Sequence, residues 1–400
     1  MTISTAQIFR LGVNAILEQQ ESLTRTQQQI ASGRRIQKPS DDPSGAVKVL
    51  DIEEQIAVTD QHLRNDGFAR TELFLEEGAM QGAVNVLQRV RELMIQANND
   101  TQSEATRGTI ATEMRARVDE LLALANTRNA SGDYLFAGFN LDTQPFSSSG
   151  GVVTYHGDQG QRRIQVGPSS LIPVSDSGTD VFERIKTGNG ALTVSTATAN
   201  SGSGLIKSLS QSSGFTRDVY TLSFSQASAT APVTYAMNGA VTGLVASGNY
   251  VPGDSISFNS IELVIEGEPA NGDVFTVSPA AQQDIFATLA TIASALEGPS
   301  TEAADNAKFH NAMGEGLNNI DRALDNFLRV RSNIGSRLNN LDSQSEVNEN
   351  FLLRMREARS DVQDLDFAEA ISRLSAQSTS LEAAQKVFIE VQGLSLFDYL

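Results

Sequence analysis

The chain has 400 residues, of which 40% are hydrophobic and 6% aromatic, a composition that suits long polar helices with a small β region better than one large globular core. Its formal net charge of −18 argues against binding to nucleic acid or to an anionic membrane surface. A protein that neutralises phosphate groups needs an excess of lysine and arginine, and this chain has an excess of acidic residues. The absence of cysteine excludes disulfides, cysteine-ligated metals and thiol catalysis.

The histidines are scattered, and an ordinary structural role is predicted for each of His62, His156 and His310. No apolar run approaches the ~20 residues that a membrane span needs. The first ten residues lack the basic and apolar segments of a secretory signal peptide. We therefore expect no membrane partner, and either a cytoplasmic protein or one exported by a route that hydropathy does not reveal.

The N-terminal part is predicted to be helical. Residues 5–32 carry an apolar stripe at three- and four-residue spacing, formed by Phe9, Val13, Ile16, Leu23 and Ile30. A stop follows at residues 32–33, where glycine takes a left-handed conformation at no steric cost. A second helix begins at residues 42–43, because Asp caps amide groups and Pro suits the first turn. Its stripe runs to a break at residues 98–100 and comprises Val49, Ile52, Ile56, Leu63, Leu73, Met80, Val84, Leu87 and Met94.

A third helix is predicted over about 103–130, and the C-terminal part mirrors the N-terminal one. Helices are expected at about 281–297 and at about 302–357, the latter roughly 80 Å long at 1.5 Å per residue. Its sustained heptad stripe is typical of a coiled coil and comprises Met313, Leu317, Ile320, Leu324, Phe327, Ile334, Leu338, Leu341, Leu352 and Met355. After a polar stretch near residues 360–361, a last helical segment carries Phe367, Ile371, Leu374, Leu381, Ala384, Phe388 and Val391.

The middle of the chain is predicted to form β structure. Residues 152–155 and 163–166 alternate in polarity and are expected to form a hairpin through 157–160. Two Asn-Gly pairs predict further hairpins: residues 233–237 with 240–245 around Asn238-Gly239, and residues 261–265 with 274–277 around a loop containing Asn271-Gly272. Residues 191–280 are therefore interpreted as a small inserted β domain.

Together these elements predict a mainly α fold with a β insertion. The terminal helices carry matching stripes that neither can bury alone, so they are expected to pair with each other. The result is an elongated rod of long antiparallel coiled-coil helices, with paired terminal helices and a small β-rich outer domain. The predicted division is 1–40 and 361–400 as terminal polymerisation helices, 41–190 and 281–360 as the two parts of the helical core, and 191–280 as the variable insertion.

No motif argues for an enzyme or a cofactor. The pair Asp41-Asp42 precedes a proline and an apolar stripe, so a helix cap is a simpler interpretation than a catalytic or metal-binding carboxylate pair. Asp361, Asp364 and Asp366 are similarly interpreted as the polar entry to the last helix. The sequence contains no Walker loop, HExxH, GxSxG or GxGxxG pattern. We therefore predict no catalytic site, no metal and no cofactor.

The two ends are lean in large apolar groups. About eight per segment, at ~1.5–3 kcal/mol each, oppose an ordering cost of ~1–2 kcal/mol per residue. As isolated segments they should fray, and they should become helical when neighbouring subunits complete the burial. The predicted assembly interface comprises Phe9, Val13, Ile16, Leu23, Ile30, Ile371, Leu374, Leu381, Phe388, Val391, Leu394, Leu396 and Phe397.

Three stretches of sequence resemble a known family. Ser32-Gly-Arg-Arg-Ile36 followed by Ser40-Asp-Asp-Pro-Ser-Gly-Ala46 is similar to the N-terminal signature of the flagellin-like proteins, and Pro39 and Pro43 resemble the hook-associated protein 3 family within them. Gly132-Asp-Tyr-Leu-Phe-Ala-Gly-Phe139 and the ending at residues 391–400 resemble the same family. The resemblance covers about 1–175 and 300–400. Its connector residues are Ser32, Gly33, Arg35, Ile36, Pro39, Asp41, Asp42, Pro43 and Gly45.

The resemblance implies a subunit that is exported unfolded through the flagellar type III apparatus, with a chaperone on its C-terminal helix. Such a subunit forms a ring with copies of itself between hook-associated protein 1 and flagellin, outside the cell. Two alternatives stay open: a flagellin filament subunit, and a secreted coiled-coil adhesin. The adhesin would normally carry a secretory signal peptide.

Overall fold

The computed structural model describes residues 5–99, 101–228, 230–299 and 302–393, without the side chains of residues 5, 6, 8 and 391–393. These residues contain six α-helices: α1 Thr5–Ser32, α2 Pro43–Ala97, α3 Glu104–Ala125, α4 Ile285–Leu296, α5 Ala303–Gln363 and α6 Phe367–Gly393. The strands are β1 Phe146–Ser149, β2 Val152–Tyr155, β3 Arg163–Gln165, β4 Leu171–Pro173, β5 Ile185–Lys186, β6 Leu192–Thr196, β7 Leu205–Gln211, β8 Tyr220–Ser225, β9 Thr234–Gly239, β10 Gly243–Asn249, β11 Ser255–Phe258, β12 Ile261–Glu266, β13 Val274–Pro279 and β14 Gln282–Gln283.

The chain divides into two compact units. The first, called the terminal unit here, contains the residues up to Arg64 and those from Ser343 onward. Within it α1 pairs with α6, and a small apolar cluster joins α2 to α5 through Ile52, Ile56 and Leu352. The predicted pairing of the two terminal helices is therefore present within one chain.

The second unit, called the central unit, spans Asn65–Asp342. Its helical core is formed by α3, α4 and the parts of α2 and α5 that belong to it. The two long helices run antiparallel there, since Arg91 bonds Asp321 at 2.8 Å and Arg331 bonds Glu77 at 2.7 Å. The side chain of Phe182 lies among aromatic neighbours in this core, with ring centroids 5.3–5.5 Å from those of Phe136, Phe146 and Phe327.

A β-rich region with its own apolar core lies within the central unit. One antiparallel sheet has the order β10-β9-β8-β13-β6, and a second has the order β11-β12-β7. Side chains from both sheets share one core, which includes Tyr220, Phe224, Phe258, Leu263 and Phe275. The region spans residues 192–279, close to the predicted insertion.

The apolar stripes of the two long helices are inside, as predicted. Of the stripe in α2, every member is buried except Leu63, which is half-buried. The α5 stripe is likewise buried or half-buried from Met313 to Met355. Periodic burial of this kind follows from the helical repeat, because residues three and four positions apart share a face.

Three predicted helix boundaries were wrong. Helix α3 ends at Ala125 instead of about 130, because the side-chain amide of Asn126 binds both backbone groups of Phe146, at 2.9 and 3.0 Å. Helix α4 begins at Ile285 instead of 281, after the short strand β14 and a cap by Asp284. Helix α5 continues to Gln363 through the polar residues at 360–361.

The first predicted hairpin was also wrong. Strand β2 pairs with β1, and β3 pairs with β4, so residues 152–155 and 163–165 are not partners. The turn between β1 and β2 is formed by Gly150 and Gly151, which both have positive φ, at 61° and 84°. Such a two-glycine turn matches the twist of a hairpin.

The two Asn-Gly predictions had different outcomes. Strands β9 and β10 do form a hairpin, but Asn238 and Gly239 belong to β9, and the turn lies at residues 240–242. The turn is displaced because the carboxylate of Asp218 accepts the backbone N–H groups of Val241 and Thr242 at 3.0 and 2.9 Å. The second prediction was wrong, since β12 and β13 belong to different sheets and the segment with Gly272 connects the sheets.

Candidate assembly site

The segment between α1 and α2, residues 33–42, is called the first connector. Gly33 ends α1 with a φ of 69°, and its N–H donates to the carbonyl of Gln29 at 2.9 Å. The buried side chain of Gln29 then donates to the carbonyl of Arg35 at 2.7 Å. Ser32 accepts a hydrogen bond from the side-chain amide of Gln37 at 2.7 Å. The connector thus folds back over the last turn of α1.

The prolines stand where their fixed φ is tolerated. The N–H of Asp41 donates to the carbonyl of Lys38 at 2.9 Å, so Pro39 is the second residue of a tight turn. The carboxylate of Asp41 accepts the N–H groups of Lys38 and Gln37 at 2.9 and 3.1 Å. These backbone hydrogen bonds hold the pKa of Asp41 below its usual value. Pro43 is the first residue of α2.

Asp42 caps α2, as the sequence predicted. Its Oδ1 accepts the N–H of Gly45 at 2.9 Å, and this bond, followed by one from the Ser44 hydroxyl, lowers the pKa of Asp42. Its Oδ2 accepts from the Arg35 guanidinium at 3.2 Å. The buried side chain of Ile36 packs against Gly45. The start of α2 is therefore fixed to the connector by one polar and one apolar contact.

The first connector is hydrogen-bonded to the second connector, residues 364–366, and to the end of α5. The N–H of Arg35 donates to the carbonyl of Gln363 at 2.7 Å, and the N–H of Leu365 donates to the carbonyl of Gly33 at 3.0 Å. The Arg35 guanidinium adds a bond to the carbonyl of Val362 at 2.7 Å. The predicted connector residues, which all come from one stretch of sequence, thus lie against a second stretch near residues 362–365.

The second connector also prepares the start of α6. The carboxylate of Asp366 accepts the N–H groups of Ala368 and Glu369 at 2.9 and 3.1 Å, which is the geometry of an N-terminal cap. Leu365 is buried. Three acidic residues were predicted as the entry to this helix. Asp366 caps it, and Asp361 lies within α5. Asp364 lies in the second connector, where its backbone pairs with that of Arg34.

Helices α1 and α6 pair antiparallel. The rings of Phe9 and Phe388 lie 5.2 Å apart, and the side-chain amide of Gln19 donates to the carbonyl of Gln377 at 3.3 Å. Gly12 lets the Phe388 ring approach closely, since a Cβ at position 12 would lie 2.8 Å from it. The seam is partly polar, since Gln19 contributes a hydrogen bond to it.

Most of the predicted assembly residues lie on this seam. Half-buried positions recur every three or four residues on each helix, and they include Val13, Ile16, Leu23, Ile30, Leu374, Leu381 and Phe388. Phe9 and Ile371 are about half exposed, at 48% and 54%. The side chain of Val391 and the residues Leu394, Leu396 and Phe397 lie outside the described residues.

Other apolar side chains on these helices are more exposed than the predicted set. Leu11 and Leu17 on α1 are 60% and 56% exposed, and Val387 and Ile389 on α6 are 57% and 67% exposed. Sequence reasoning missed them because they lie off the apolar stripe. They could have been found as large apolar residues that lie outside the apolar stripe of a helix, among polar neighbours.

The described residues contain no group of three histidine, aspartate or glutamate side chains placed to hold a metal ion. Over the same ranges, no helix has the length and hydropathy needed to cross a membrane.

Comparison with known proteins agrees with this organisation. Residues 3–141 match the family model described as the bacterial flagellin N-terminal helical region, and residues 317–400 match the bacterial flagellin C-terminal helical region. The chain is 25% identical over 398 residues to flagellar hook-associated protein 3 of Escherichia coli strain K12, covering 99% of each protein.

Two solved structures from Legionella pneumophila are similar over most of their length. Flagellar hook-associated protein 3 is 33% identical with a TM-score of 0.75, over 78% of this chain and 98% of that one. The flagellar junction protein FlgL is 33% identical with a TM-score of 0.72, over 79% of this chain and 99% of that one. The chain belongs to the flagellar hook-associated protein 3 family of flagellin-like proteins.

Proposed function

We propose that this chain is a structural component of the bacterial flagellum that joins the hook to the filament and is required for filament assembly and motility. The observation that carries the proposal is that α1 and α6, although paired, leave large apolar side chains exposed to solvent. The similarity to a flagellar junction protein over 99% of its length supports the same role. The proposed junction role is structural and involves no catalysis.

The exposed side chains supply an energetic reason to assemble. Burying a leucine, isoleucine or valine is worth about 1.5–3 kcal/mol, so Leu11, Leu17, Val387 and Ile389 together offer several kcal/mol to a neighbouring subunit. We therefore extend the assembly interface from the seam residues, which include Leu374 and Leu381, to these four.

The partners and the location follow as part of the same proposal. We propose contacts with hook-associated protein 1 on one side and with flagellin on the other, and a ring of copies of this chain. Export through the flagellar type III apparatus, with a chaperone on α6, would deliver the subunit to the extracellular hook–filament junction. The absence of cysteine is compatible with export in an unfolded state.

The finer architecture also belongs to the proposal. The antiparallel course of α2 and α5 in the central unit and their heptad stripes support coiled-coil pairing within a rod. The proposed division keeps 1–40 and 361–400 as polymerisation helices, 41–190 and 281–360 as helical core, and 191–280 as the variable insertion. The separate apolar core of the β-rich region supports the last boundary.

A flagellin filament subunit is the second candidate, because both matching family models describe flagellin helical regions. A junction protein must present different faces to the hook and to flagellin, so its purified form should not grow long filaments. Electron microscopy of a concentrated preparation separates the two candidates. Abundant micrometre-long filaments would assign the chain to the filament itself.

The genetic test is removal of the gene from its host. We expect intact hooks, no filaments and flagellin released into the medium. Normal filaments in the deletion strain would contradict the junction function.

Complementation then tests the interface. Leu17→Glu places a charge on an exposed position of α1, and we expect a folded subunit with an unchanged circular dichroism spectrum that fails to restore filaments. Gln27→Glu adds the same charge at another exposed position of α1 and should restore them. Full motility with Leu17→Glu would remove Leu17 from the interface.

A further inference from the structure

A cavity of about 420 Å³ lies where the β-rich region meets α5 in the central unit. Strands β6 and β7 line one side, and the turn of α5 around Glu315 lines the other. The proposed function does not involve this cavity.

Two asparagines on α5, of which Asn311 lines the cavity, bind the segments around it. Asn319 accepts the N–H of Gly188 at 2.8 Å, and Asn311 accepts the N–H of Ile206 at 2.8 Å while donating to the carbonyl of Gly204 at 2.9 Å. Both asparagines are buried. They hold the segments that lead into β6 and β7, so both strands of one side of the cavity are anchored to the helix that forms the other side.

Glu315 lies between these anchors on the same helix face. Residues 311, 315 and 319 are spaced by four, which places them in one row along α5. Glu315 makes no hydrogen bond or ion pair with any described residue, whereas Glu72, Glu77 and Asp176 of the same unit are each paired with an arginine. Burial raises the pKa of Glu315. A carboxylate with no protein partner therefore lines the cavity.

A second polar group in the cavity wall lacks a partner. The Oγ1 atom of Thr193 is buried and makes no hydrogen bond within the described residues. Lys207 also lines the cavity, but its ammonium group pairs with Glu266 at 3.4 Å. The Thr193 oxygen is not exposed to the cavity, so the carboxylate of Glu315 is the unpaired charged group that remains available to a ligand.

We propose that this cavity binds an alkylammonium or alkylguanidinium group. The cation would donate hydrogen bonds to the Glu315 carboxylate, and its single charge matches that single carboxylate. Its alkyl stem would lie against the apolar part of the lining, which consists of Leu192, Val194, Ile206, Leu209 and Leu317. A divalent metal ion fits less well, because calcium and magnesium sites gather several oxygen ligands and usually more than one carboxylate.

The same chemistry has two sources, a free amine and the side chain of a lysine or arginine in a neighbouring polypeptide. Titrating the full chain with n-butylammonium probes the first source. An acetylated and amidated Gly-Lys-Gly peptide probes the second. Tighter binding of the peptide would assign the cavity to a side chain, and tighter binding of the free amine would assign it to a small ligand; either result supports a cation site.

The decisive experiment follows amide NMR signals of cavity residues, such as Thr193 and Gly314, during titration with n-butylammonium. We expect saturable shifts that require at least ten-fold more ligand in Glu315→Gln. Glu346→Gln, at an exposed position of α5, should bind like the parent chain. The neutral isostere n-butanol should bind at least ten-fold more weakly.

A second variant keeps the test independent of one substitution. Glu315→Asp keeps the negative charge on a shorter side chain, and we expect its affinity to lie between those of the parent chain and of Glu315→Gln, with an unchanged circular dichroism spectrum. Absence of saturable shifts, equal affinity in Glu315→Gln and the parent, or preferential binding of Mg²⁺ or Ca²⁺ would each overturn the proposal.

Discussion

The side chain of Ile36 occupies the space beside the α-carbon of Gly45. A Cβ built at position 45 would lie 2.6 Å from the Cδ1 atom of Ile36 and 2.5 Å from the Oδ2 atom of Asp42. Both distances are far below ordinary van der Waals contact. Glycine at this position is therefore required by packing, although its place in the first turn of a helix would suit alanine better.

This contact predicts that Gly45→Ala destabilises the terminal unit. Helix propensity alone would favour alanine by about 1 kcal/mol, but the clash with a buried side chain and with the helix cap should cost about 1–3 kcal/mol. Thermal unfolding followed by circular dichroism measures the balance. Ile36→Val removes the clashing methyl group, so the double variant should lose less stability than the sum of the two single ones. A more stable Gly45→Ala protein would contradict the packing argument.

Arg35→Ala should loosen the junction of the two connectors. The guanidinium is partly exposed, so we expect a stability loss of about 1 kcal/mol or less. The sharper measurement is hydrogen exchange of the Leu365 amide, which donates to the carbonyl of Gly33 and should exchange faster in the variant. Arg34→Ala is the matched control. Arg34 contacts the same junction through its backbone, whereas the side-chain bond to Val362 comes from Arg35. Equal exchange in both variants would mean that the guanidinium does not hold the connectors.

The seam between α1 and α6 predicts different outcomes for two glutamate substitutions on one helix. Leu381→Glu places a charge at a half-buried position and should reduce helicity and expose both ends to protease in the isolated chain. Ile389→Glu places the same charge at a position that is 67% exposed and should leave the isolated chain unchanged. Mild proteolysis followed by mass spectrometry tests both. Equal resistance of the two variants would show that the seam does not stabilise the ends.

Glu76 predicts a pH dependence of stability in the central unit. Burial, with a further contribution from the Asp176 carboxylate, raises the pKa of Glu76 from 4.5 to about 8, and its Oε2 atom has no hydrogen-bond partner within the described residues. Because the folded state binds this proton more tightly than the unfolded state, the contribution is fully present below about pH 4.5 and is lost as the pH rises to about 8.

Glu76→Gln replaces the carboxyl by a neutral group of the same shape. Thermal unfolding of the parent chain should move to lower temperature between pH 5 and pH 8, and the shift should be smaller in the variant. Glu92→Gln, at an exposed position of α2, should behave like the parent chain. The same pH dependence in all three proteins would show that Glu76 does not titrate with folding.

The sequence predicted the long helices well, because their burial repeats at the helical period and their ends carry local signals. The Asp42 cap and the Gly33 stop are of this kind. Strand pairing was predicted less well, because it depends on residues distant in sequence. The side chain of Asp218 moves the β9–β10 turn away from Asn238-Gly239, and no local pattern records that contact.

The candidate site shows the same limit. Its N-terminal half was found from local sequence and from the family resemblance. Its C-terminal half was predicted only as a polar entry to α6. The hydrogen bond between Gly33 and Leu365 joins residues that are distant in sequence, and neither a periodic pattern nor a motif indicates such a contact. Exposed residues such as Leu17 were missed because an apolar residue off a stripe has no periodic neighbours to mark it.

The connector junction has a consequence for the order of events during synthesis. Arg35 and Val362, which it joins, are 327 residues apart. At about 5–20 residues per second, the ribosome finishes α1 roughly 16–65 s before the chain reaches Val362. For that interval α1 has no partner within its own chain. The apolar stripe of α1 therefore lacks the helix that covers it in the folded chain until α6 has been synthesised.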